Sequence, residues 1–241
     1  MRRNDLDPNF VGAHEDFDLS RLAHIILNFH GVGPVLRDID AGERSRWLDQ
    51  DFFEAILDIV KGQSHVRMTF DDGNSSDREI VLPALIRRGL QAAFFVCSGR
   101  LDQPTFLTRA QVRELQSHGM RIGSHGAAHV SWRHLPPSLL REELAGSRQV
   151  LEGVCGVPVD SAACPFGAYD FRVLRALRRA GYRVVYTSDG GTATESQWLR
   201  PRTSVTRSMS LADVQHLVWH GFAPVEQLLI DVRRLLKRLR F

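Results

Sequence analysis

Arg-Arg-Gly-Leu-Gln-Ala-Ala-Phe-Phe-Val-Cys, residues 87–97, joins the cationic end of a helix to an apolar β-rich run. Glycine is the usual residue just beyond a helix C-terminus, and the two arginines before it suit the negative end of the helix dipole. The aromatic and β-branched residues that follow are typical of a buried strand. This segment therefore predicts a helix that leads almost directly into a strand of a sheet.

The same joint recurs at Gly119 and at Gly181, so the pattern extends along the chain. Strands are predicted near 24–30, 66–70, 92–97, 120–124, 161–165, 182–187 and 198–205. Helices are predicted near 50–61, 76–88, 109–118, 138–154, 169–180, 211–218 and 225–240. Apolar strands that alternate with helices indicate an α/β fold with a parallel sheet covered by helices. About seven such units fit a closed or nearly closed (β/α) barrel, and an open doubly wound sheet is the alternative.

The composition is that of an ordinary globular protein, with 43% hydrophobic and 24% charged residues among 241. The net charge of +3 is concentrated at the end of the chain, where residues 231–241 carry +4 and the rest is near neutral. A nucleic-acid-binding protein would show a basic face within its fold, so we expect no nucleic-acid partner. Three cysteines without CxxC spacing, no signal-peptide pattern and no apolar run long enough to span a bilayer predict a cytoplasmic location.

Two adjacent carboxylates end the second predicted strand, in Met-Thr-Phe-Asp-Asp-Gly at residues 68–73. Neighbouring carboxylates repel each other unless a bound cation balances their charges or a proton neutralises one of them. A solvated turn is the alternative interpretation of Asp71 and Asp72. A second signal is therefore needed before a site can be assigned.

That signal is Gly-Ser-His-Gly-Ala-Ala-His, which places His125 and His129 four residues apart directly after another strand. At this spacing two imidazoles can share a metal, and with Asp72 they form a ligand set that leaves coordination positions open. An open metal site with a spare carboxylate, Asp71, is typical of metal-assisted hydrolysis. Non-haem Fe(II) oxygenases use the same kind of ligand set and are a minor alternative.

Thr-Phe-Asp-Asp-Gly followed by Ser-His-x3-His resembles the polysaccharide deacetylases, the NodB-homology or carbohydrate esterase family 4 enzymes. Cys-Pro-Phe-Gly-Ala-Tyr-Asp, residues 164–170, is similar to a third segment of that family, and the resemblance covers about residues 22–205. It implies a distorted (β/α)7 barrel and the metal-dependent removal of N-acetyl groups from an amino-sugar-containing polysaccharide, oligosaccharide or lipid-linked glycan, with release of acetate. A hydrolase of another linear C–N amide bond and a carbohydrate-binding pseudoenzyme are the alternatives.

The resemblance also implies roles for individual residues. Asp71 would be the general base, and Asp72, His125 and His129 the metal ligands. Pro165 and Phe166 would form a wall of the substrate groove, with a backbone N–H near Phe166 facing the oxyanion. Two imidazoles and a carboxylate suit a borderline metal, so Zn2+ is the expected cofactor, with Co2+, Ni2+ or Fe2+ as alternatives.

Three departures from the family pattern stand out. Gly126 occupies a position that is usually Ser or Thr, and Ala163 occupies that of the arginine that orients the base, for which Arg200 or Arg202 is the expected replacement. The C-terminal Leu-x-His that provides the general acid is missing.

A replacement acid is predicted at the other end of the chain. Ile-Ile-Leu-Asn-Phe-His, ending at His30, resembles the N-terminal strand of exopolysaccharide and biofilm deacetylases, whose barrel order looks circularly permuted. The first and last strands of a closed barrel are neighbours, so His30 could act as the acid; a histidine bonded to a local carbonyl is the alternative.

Smaller expectations concern the surroundings of the site. Trp132 and Tyr169 would stack on a sugar or cover the barrel rim, and Asp189 would accept a hydrogen bond from His125 or His30. The predicted organisation is a polar arm at 1–20, a barrel domain at 21–223 and a basic amphipathic helix at 224–241. That helix either packs on the barrel or lies at the inner leaflet of the membrane, where lipid-linked glycans are built.

Overall fold

The computed structural model describes residues 23–239. The predicted polar arm at 1–20 lies outside the described residues, as do the last two residues of the chain. No helix between residues 23 and 239 is both long and apolar enough to cross a bilayer.

Within the described part of the chain, nine strands form one sheet. In chain order they are β1 (His24–Phe29), β2 (Val66–Asp72), β3 (Ala93–Val96), β4 (Arg121–Ser124), β5 (Ser161–Ala163), β6 (Val184–Thr187), β7 (Thr192–Ala193), β8 (Leu199–Pro201) and β9 (Thr203–Ser204). Strands β1 to β6 pair in parallel with their sequence neighbours, and β8 pairs in parallel with β6. The predicted strand 198–205 is two short strands, β8 and β9, separated by Arg202.

The sheet closes on itself through that interruption. β8 lies beside β6, whereas β9 pairs in parallel with β1, so the segment 199–204 connects the last strand of the sheet to the first. β7, which the sequence did not predict, adds an antiparallel pair to β1. The result is a nearly closed (β/α) barrel, as predicted, and the open doubly wound sheet is wrong. The circular permutation relative to the family that the sequence resembles stays a prediction.

Helices cover the outside of this barrel. They are α1 (Ala41–Arg44), α2 (Gln50–Val60), α3 (Leu82–Arg88), α4 (Arg109–Ser117), α5 (Pro137–Arg141), α6 (Ser147–Cys155), α7 (Phe171–Arg179), α8 (Leu211–His220) and α9 (Pro224–Leu239). A π-helical turn at Asp77–Val81 precedes α3, and another at Glu142–Gly146 joins α5 to α6. Gly89 ends α3 with a left-handed backbone, as its sequence predicted.

Alternation along the strands separates the outer core from the barrel interior. In β1, Ile25, Leu27 and Phe29 pack among the helices, while Ile26 belongs to a small interior cluster. The period of two then places the next interior positions, Asn28 and His30, above Ile26 on the same side. The barrel is therefore apolar at its base and polar at the carboxyl ends of its strands.

Candidate active site

The polar end of the barrel holds a pocket of about 450 Å³. Active sites of (β/α) barrels lie at the carboxyl ends of the strands because loops from every unit converge there. The residues that line this pocket include His30, Asp71, Asp72, His125, His129, Phe166, Asp189 and Arg202. The predicted acid, base and metal ligands therefore meet in one cavity.

A change of backbone direction at Asp72 brings the two adjacent carboxylates together. Successive residues of a strand point to opposite faces, so Asp71 and Asp72 would separate if β2 ran straight to its end. Asp72 instead has φ +79°, in the left-handed region that non-glycine residues rarely adopt. His129 (φ +56°) and Phe166 (φ +59°) share this strained conformation, which clusters at functional sites.

Asp72, His125 and His129 form a three-residue cluster suited to a metal. Their ligand atoms all lie within 4.8 Å of one another. The Oδ1 atom of Asp72 is 3.0 Å from Nε2 of His129 and 3.6 Å from Nε2 of His125. Between residues 23 and 239 no other group of histidine, cysteine and acidic side chains meets the same criterion.

The chemistry of these three side chains fits a divalent cation. Nδ1 of His125 donates to the carbonyl oxygen of Ala163 at 2.9 Å, which leaves the Nε2 lone pair facing the cluster. The Asp72 Oδ1 atom is buried and accepts no hydrogen bond within the described chain, although it faces both imidazoles. A buried carboxylate oxygen without a hydrogen bond is costly, and a bound cation would satisfy it.

Electrostatics keep the cluster in the protonation state that binds metal. Burial lowers the pKa of His125 to about 4, against the attraction of Asp71 and Asp72, so the ring is neutral at neutral pH. Burial pushes the pKa of Asp72 upward, but contact with His129 and the charges of the neighbouring histidines hold it below its ordinary range. A neutral imidazole and an ionised carboxylate are the ligand forms.

Asp71 is held apart from the triad by an ion pair with Arg202. The guanidinium donates Nη1 to Oδ1 at 2.7 Å and Nη2 to Oδ2 at 2.8 Å, and both side chains are buried. Asn28 donates to Oδ2 at 3.0 Å and accepts from Arg202. Although burial raises the pKa of Asp71, the charge of Arg202 lowers it to about 2, so the carboxylate is ionised.

Position 163 is alanine where the family has an arginine, and Arg200 and Arg202 were the expected replacements. The structure places Arg202 on Asp71. Arg200 instead pairs with Glu195 at 2.6 Å. Asn28 was missed by the sequence analysis, although it lies two residues before His30 and so on the same side of β1. That spacing is the signal that could have found it.

Glu143, also missed from the sequence, organises the loop between His125 and His129. Its buried carboxylate accepts from the amides of Ala127 and Ala128, both at 2.9 Å, and from Nε1 of Trp132 at 3.2 Å. Trp132 is fully buried. The expectation that Trp132 stacks on a sugar is therefore wrong, because its ring packs beneath the loop.

Glu143 also explains the glycine at 126. Gly126 has φ +80°, and a Cβ atom there would lie 2.3 Å from Oε2 of Glu143. The carboxylate that holds the loop therefore leaves no room for a side chain at this position.

Gly126→Ala should therefore destabilise the protein more than Gly62→Ala does. Gly62 has φ +81° with nothing near its Cβ position, so it carries the same backbone penalty without the clash. We expect the Tm to fall by about 2–5 °C for Gly62→Ala and by about 10 °C for Gly126→Ala. Thermal unfolding measures both, and equal shifts would show that Glu143 moves away without cost.

His30 lies in the pocket with Nδ1 buried and unpartnered among the described residues. No carbonyl of the described chain holds this nitrogen. Burial lowers the pKa of His30 below 6.5, against the attraction of Asp72 and Asp71.

The structure also corrects the predictions for Asp189 and Tyr169. Asp189 accepts from the Tyr169 hydroxyl and from Thr187, both at 2.8 Å, and pairs with Lys237 of α9, so it holds neither His125 nor His30. Tyr169 is buried and offers no stacking surface.

The predicted groove wall consists of one buried and one exposed residue. Pro165 is buried, whereas Phe166 is 66% exposed at the edge of the pocket. The Phe166 ring lies 4.6 Å from the ring of His129, measured between centroids. Phe166 is therefore the residue of the predicted wall that can meet a substrate.

Comparisons with known proteins find a matching family model, sequence relatives and similar solved structures. The family model for polysaccharide deacetylase matches residues 58–185. YxkH of Bacillus subtilis (strain 168), itself only provisionally named a polysaccharide deacetylase, is 28% identical over 132 residues, which are 55% of this chain and 47% of YxkH. The chain thus spans about half the length of this curated relative.

Solved structures share the fold. The Streptococcus pyogenes deacetylase PplD, determined with acetate, aligns with a TM-score of 0.69 and 20% identity over 80% of this chain and 96% of its own. IcaB from Ammonifex degensii aligns with a TM-score of 0.67 and 21% identity over 81% of this chain and 97% of its own. At these identities the similarity establishes the barrel.

Proposed function

The chain belongs to the polysaccharide deacetylase family, and from that premise we propose that it is a divalent-metal hydrolase that removes N-acetyl groups from an amino-sugar-containing glycan and releases acetate. A polysaccharide, an oligosaccharide and a lipid-linked glycan are the substrate forms that this chemistry admits. One observation carries the proposal: a triad suited to metal and a separately anchored carboxylate share one pocket.

The different roles proposed for Asp71 and Asp72 follow from their different partners. Asp72 faces two imidazoles with an unpaired oxygen, whereas both oxygens of Asp71 are engaged by Arg202 and Asn28. Asp71 is thus oriented beside the triad, with Oδ2 3.9 Å from Nε2 of His125. In this proposal Asp71 takes the proton from the water that attacks the amide carbonyl.

Asp72, His125 and His129 would hold the cation, with Zn2+ the best fit to two imidazoles and a carboxylate. When bound, such an ion polarises the amide carbonyl and makes a coordinated water more acidic. A backbone N–H near Phe166 is the predicted protein donor to the developing oxyanion.

His30 is the proposed general acid. An amide nitrogen leaves poorly until it is protonated, so a donor is required opposite Asp71. The lowered pKa of His30 makes its protonated form a stronger acid, although a less populated one at neutral pH. The departing amine would receive its proton from Nε2.

The pseudoenzyme alternative rested on the alanine at 163 and the missing final motif. Because Arg202 pairs with Asp71, the alanine at 163 no longer argues for a pseudoenzyme. Hydrolysis of another linear amide stays an alternative, because substrate choice lies in loops rather than in the barrel.

A panel of N-acetylated glycans tests the proposed function directly. We expect the Zn2+-loaded protein to release acetate from N-acetylglucosamine oligomers, and a chelator to stop it. Release from simple linear amides but from no acetylated sugar would select the other hydrolase. Glycan binding without acetate release, in protein with full metal content, would select the pseudoenzyme.

His30→Ala should lower amide turnover by roughly 10²–10⁴-fold while metal content stays unchanged. A general acid works only when protonated, so the wild-type rate should fall as pH rises through the lowered pKa of His30, below 6.5. His30→Ala should lose that descending limb. Steady-state rates across pH, with metal analysis in parallel, measure both effects.

The matched control is His220→Ala, which removes an exposed imidazole from α8. An acetate-ester substrate gives a second control, since its leaving group needs less protonation and should be spared part of the loss. A His30→Ala protein that hydrolyses the amide at the wild-type rate would exclude His30 as the acid.

A further inference from the structure

Helix α9 packs on the barrel with its polar side. Gln227 accepts from the amide of Thr192 at 3.0 Å, and the buried guanidinium of Arg234 donates to the carbonyl of Leu199 at 3.2 Å. Lys237 pairs with Asp189 and contacts the carbonyl of Gly167 at 3.4 Å. The side of α9 that faces the protein is therefore held mainly by hydrogen bonds and ion pairs.

The opposite side of α9 is apolar and faces solvent. Among the described residues of the helix, seven form this surface, here called the leucine stripe: Val225, Leu228, Leu229, Val232, Leu235, Leu236 and Leu239. Each is 47–69% exposed. At 3.6 residues per turn they fall within an arc of about 120°. A helix that only packed on the barrel would bury this stripe, so the arrangement is the reverse of an ordinary surface helix.

A basic groove runs beside the stripe, between α7 and α9. Its volume is about 880 Å³, and its described lining combines uncharged, mostly apolar residues with four arginines, Arg175, Arg178, Arg179 and Arg238, and includes no acidic residue. Arg238 lies one helical turn after Leu235, so the groove adjoins the edge of the stripe. The molecule thus presents a cationic surface and an exposed apolar surface side by side.

We propose that the leucine stripe and the arginine groove together form a docking surface for an anionic phospholipid bilayer. In-plane helices bind bilayers by burying an apolar face at the level of the headgroups, and nearby cations add attraction to anionic lipids. The seven apolar side chains supply the first contribution and the four arginines the second. This inference does not depend on the proposed reaction.

A second copy of the chain fits this surface less well. A twofold pair formed through the stripe would bring the arginine grooves of both copies to the same interface, where like charges repel. Anionic headgroups instead neutralise them. Lys237 also ties the C-terminal part of α9 to Asp189, which lines the catalytic pocket.

Co-sedimentation of the full chain with vesicles tests the proposal. We expect the protein to pellet with phosphatidylcholine vesicles that contain about 30% phosphatidylglycerol, and to partition at least about tenfold less onto pure phosphatidylcholine. Leu229→Ser with Leu236→Ser should reduce partitioning to the anionic vesicles by about 50-fold, since both side chains are exposed and their replacement should leave the fold intact.

The arginines are tested by Arg175→Gln with Arg179→Gln, which should reduce partitioning by about 30-fold. The matched control is Arg113→Gln with Arg183→Gln, two exposed arginines outside the groove, with an expected change below about threefold. Failure of the wild type to bind anionic vesicles, or equal binding by the stripe variant, would overturn the proposal. So would a dimer in vesicle-free solution that the stripe variant converts to monomer, because a second copy would then cover the stripe.

Discussion

His125→Ala combined with His129→Ala should remove the bound metal and lower acetate release by on the order of 10⁴-fold or more. Only the Asp72 carboxylate would remain of the cluster, and a single carboxylate does not retain a borderline divalent ion. Elemental analysis of the purified protein should show metal falling from about one ion per chain to background. Acetate release from an N-acetylated oligosaccharide measures the loss of activity.

The matched control is His118→Ala with His134→Ala, which removes two exposed imidazoles from outside the pocket. This control should keep both metal and activity. Full metal content in the variant that lacks His125 and His129 would mean that the ion binds elsewhere, and the proposed site would be abandoned. Circular dichroism of both variants separates metal loss from unfolding.

Asp71→Asn should keep the metal and still lose on the order of 10³–10⁴-fold in turnover. The carboxamide introduced by this change cannot take a proton from water, whereas the triad proposed to hold the ion is unchanged. Asp72→Asn should instead weaken metal binding as its primary defect, and its loss of turnover should follow from the loss of metal. Metal titration and steady-state rates on both variants distinguish the two carboxylates.

Loss of the Asp71 charge also leaves Arg202 buried without its counter-ion, which should destabilise the fold by about 3–5 kcal/mol. The double variant Asp71→Asn with Arg202→Gln removes both charges and should be equally inactive but more stable than Asp71→Asn alone. Equal loss of metal from Asp71→Asn and Asp72→Asn would show that both acids are ligands. Near-normal turnover by Asp71→Asn would remove it as the base.

The repeated helix–glycine–strand joints predicted the barrel because they are local signals. A glycine with a positive φ after α3 and an apolar strand a few residues later depend on neighbouring residues alone. The two-residue strands β7 and β9 have no such signal, because their pairing is set by β1 across the sheet. The break at Arg202 could not be predicted for the same reason.

Residues distant in sequence from their partners were the hardest to assign. Trp132 and Tyr169 have the aromatic side chains that stack on sugars. Only the folded structure shows that both aromatic rings are buried, with Trp132 bonded to Glu143 and Tyr169 to Asp189. The helical pattern of the C-terminal segment was visible in the sequence. Which side of that helix faces the barrel was not, since both sides could contact protein.

The sequence by itself determined the parallel α/β architecture, the order of its elements and the residue types that gather at the strand ends, because these depend on periodicity and short spacings. The tertiary structure decided which arginine accompanies Asp71, why residue 126 is glycine and which side of α9 is exposed. Each of these depends on how separate elements pack together: Arg202 lies 131 residues from Asp71, yet their side chains meet at 2.7 Å. That contact arises because closure of the barrel brings the segment of the last strand beside the first.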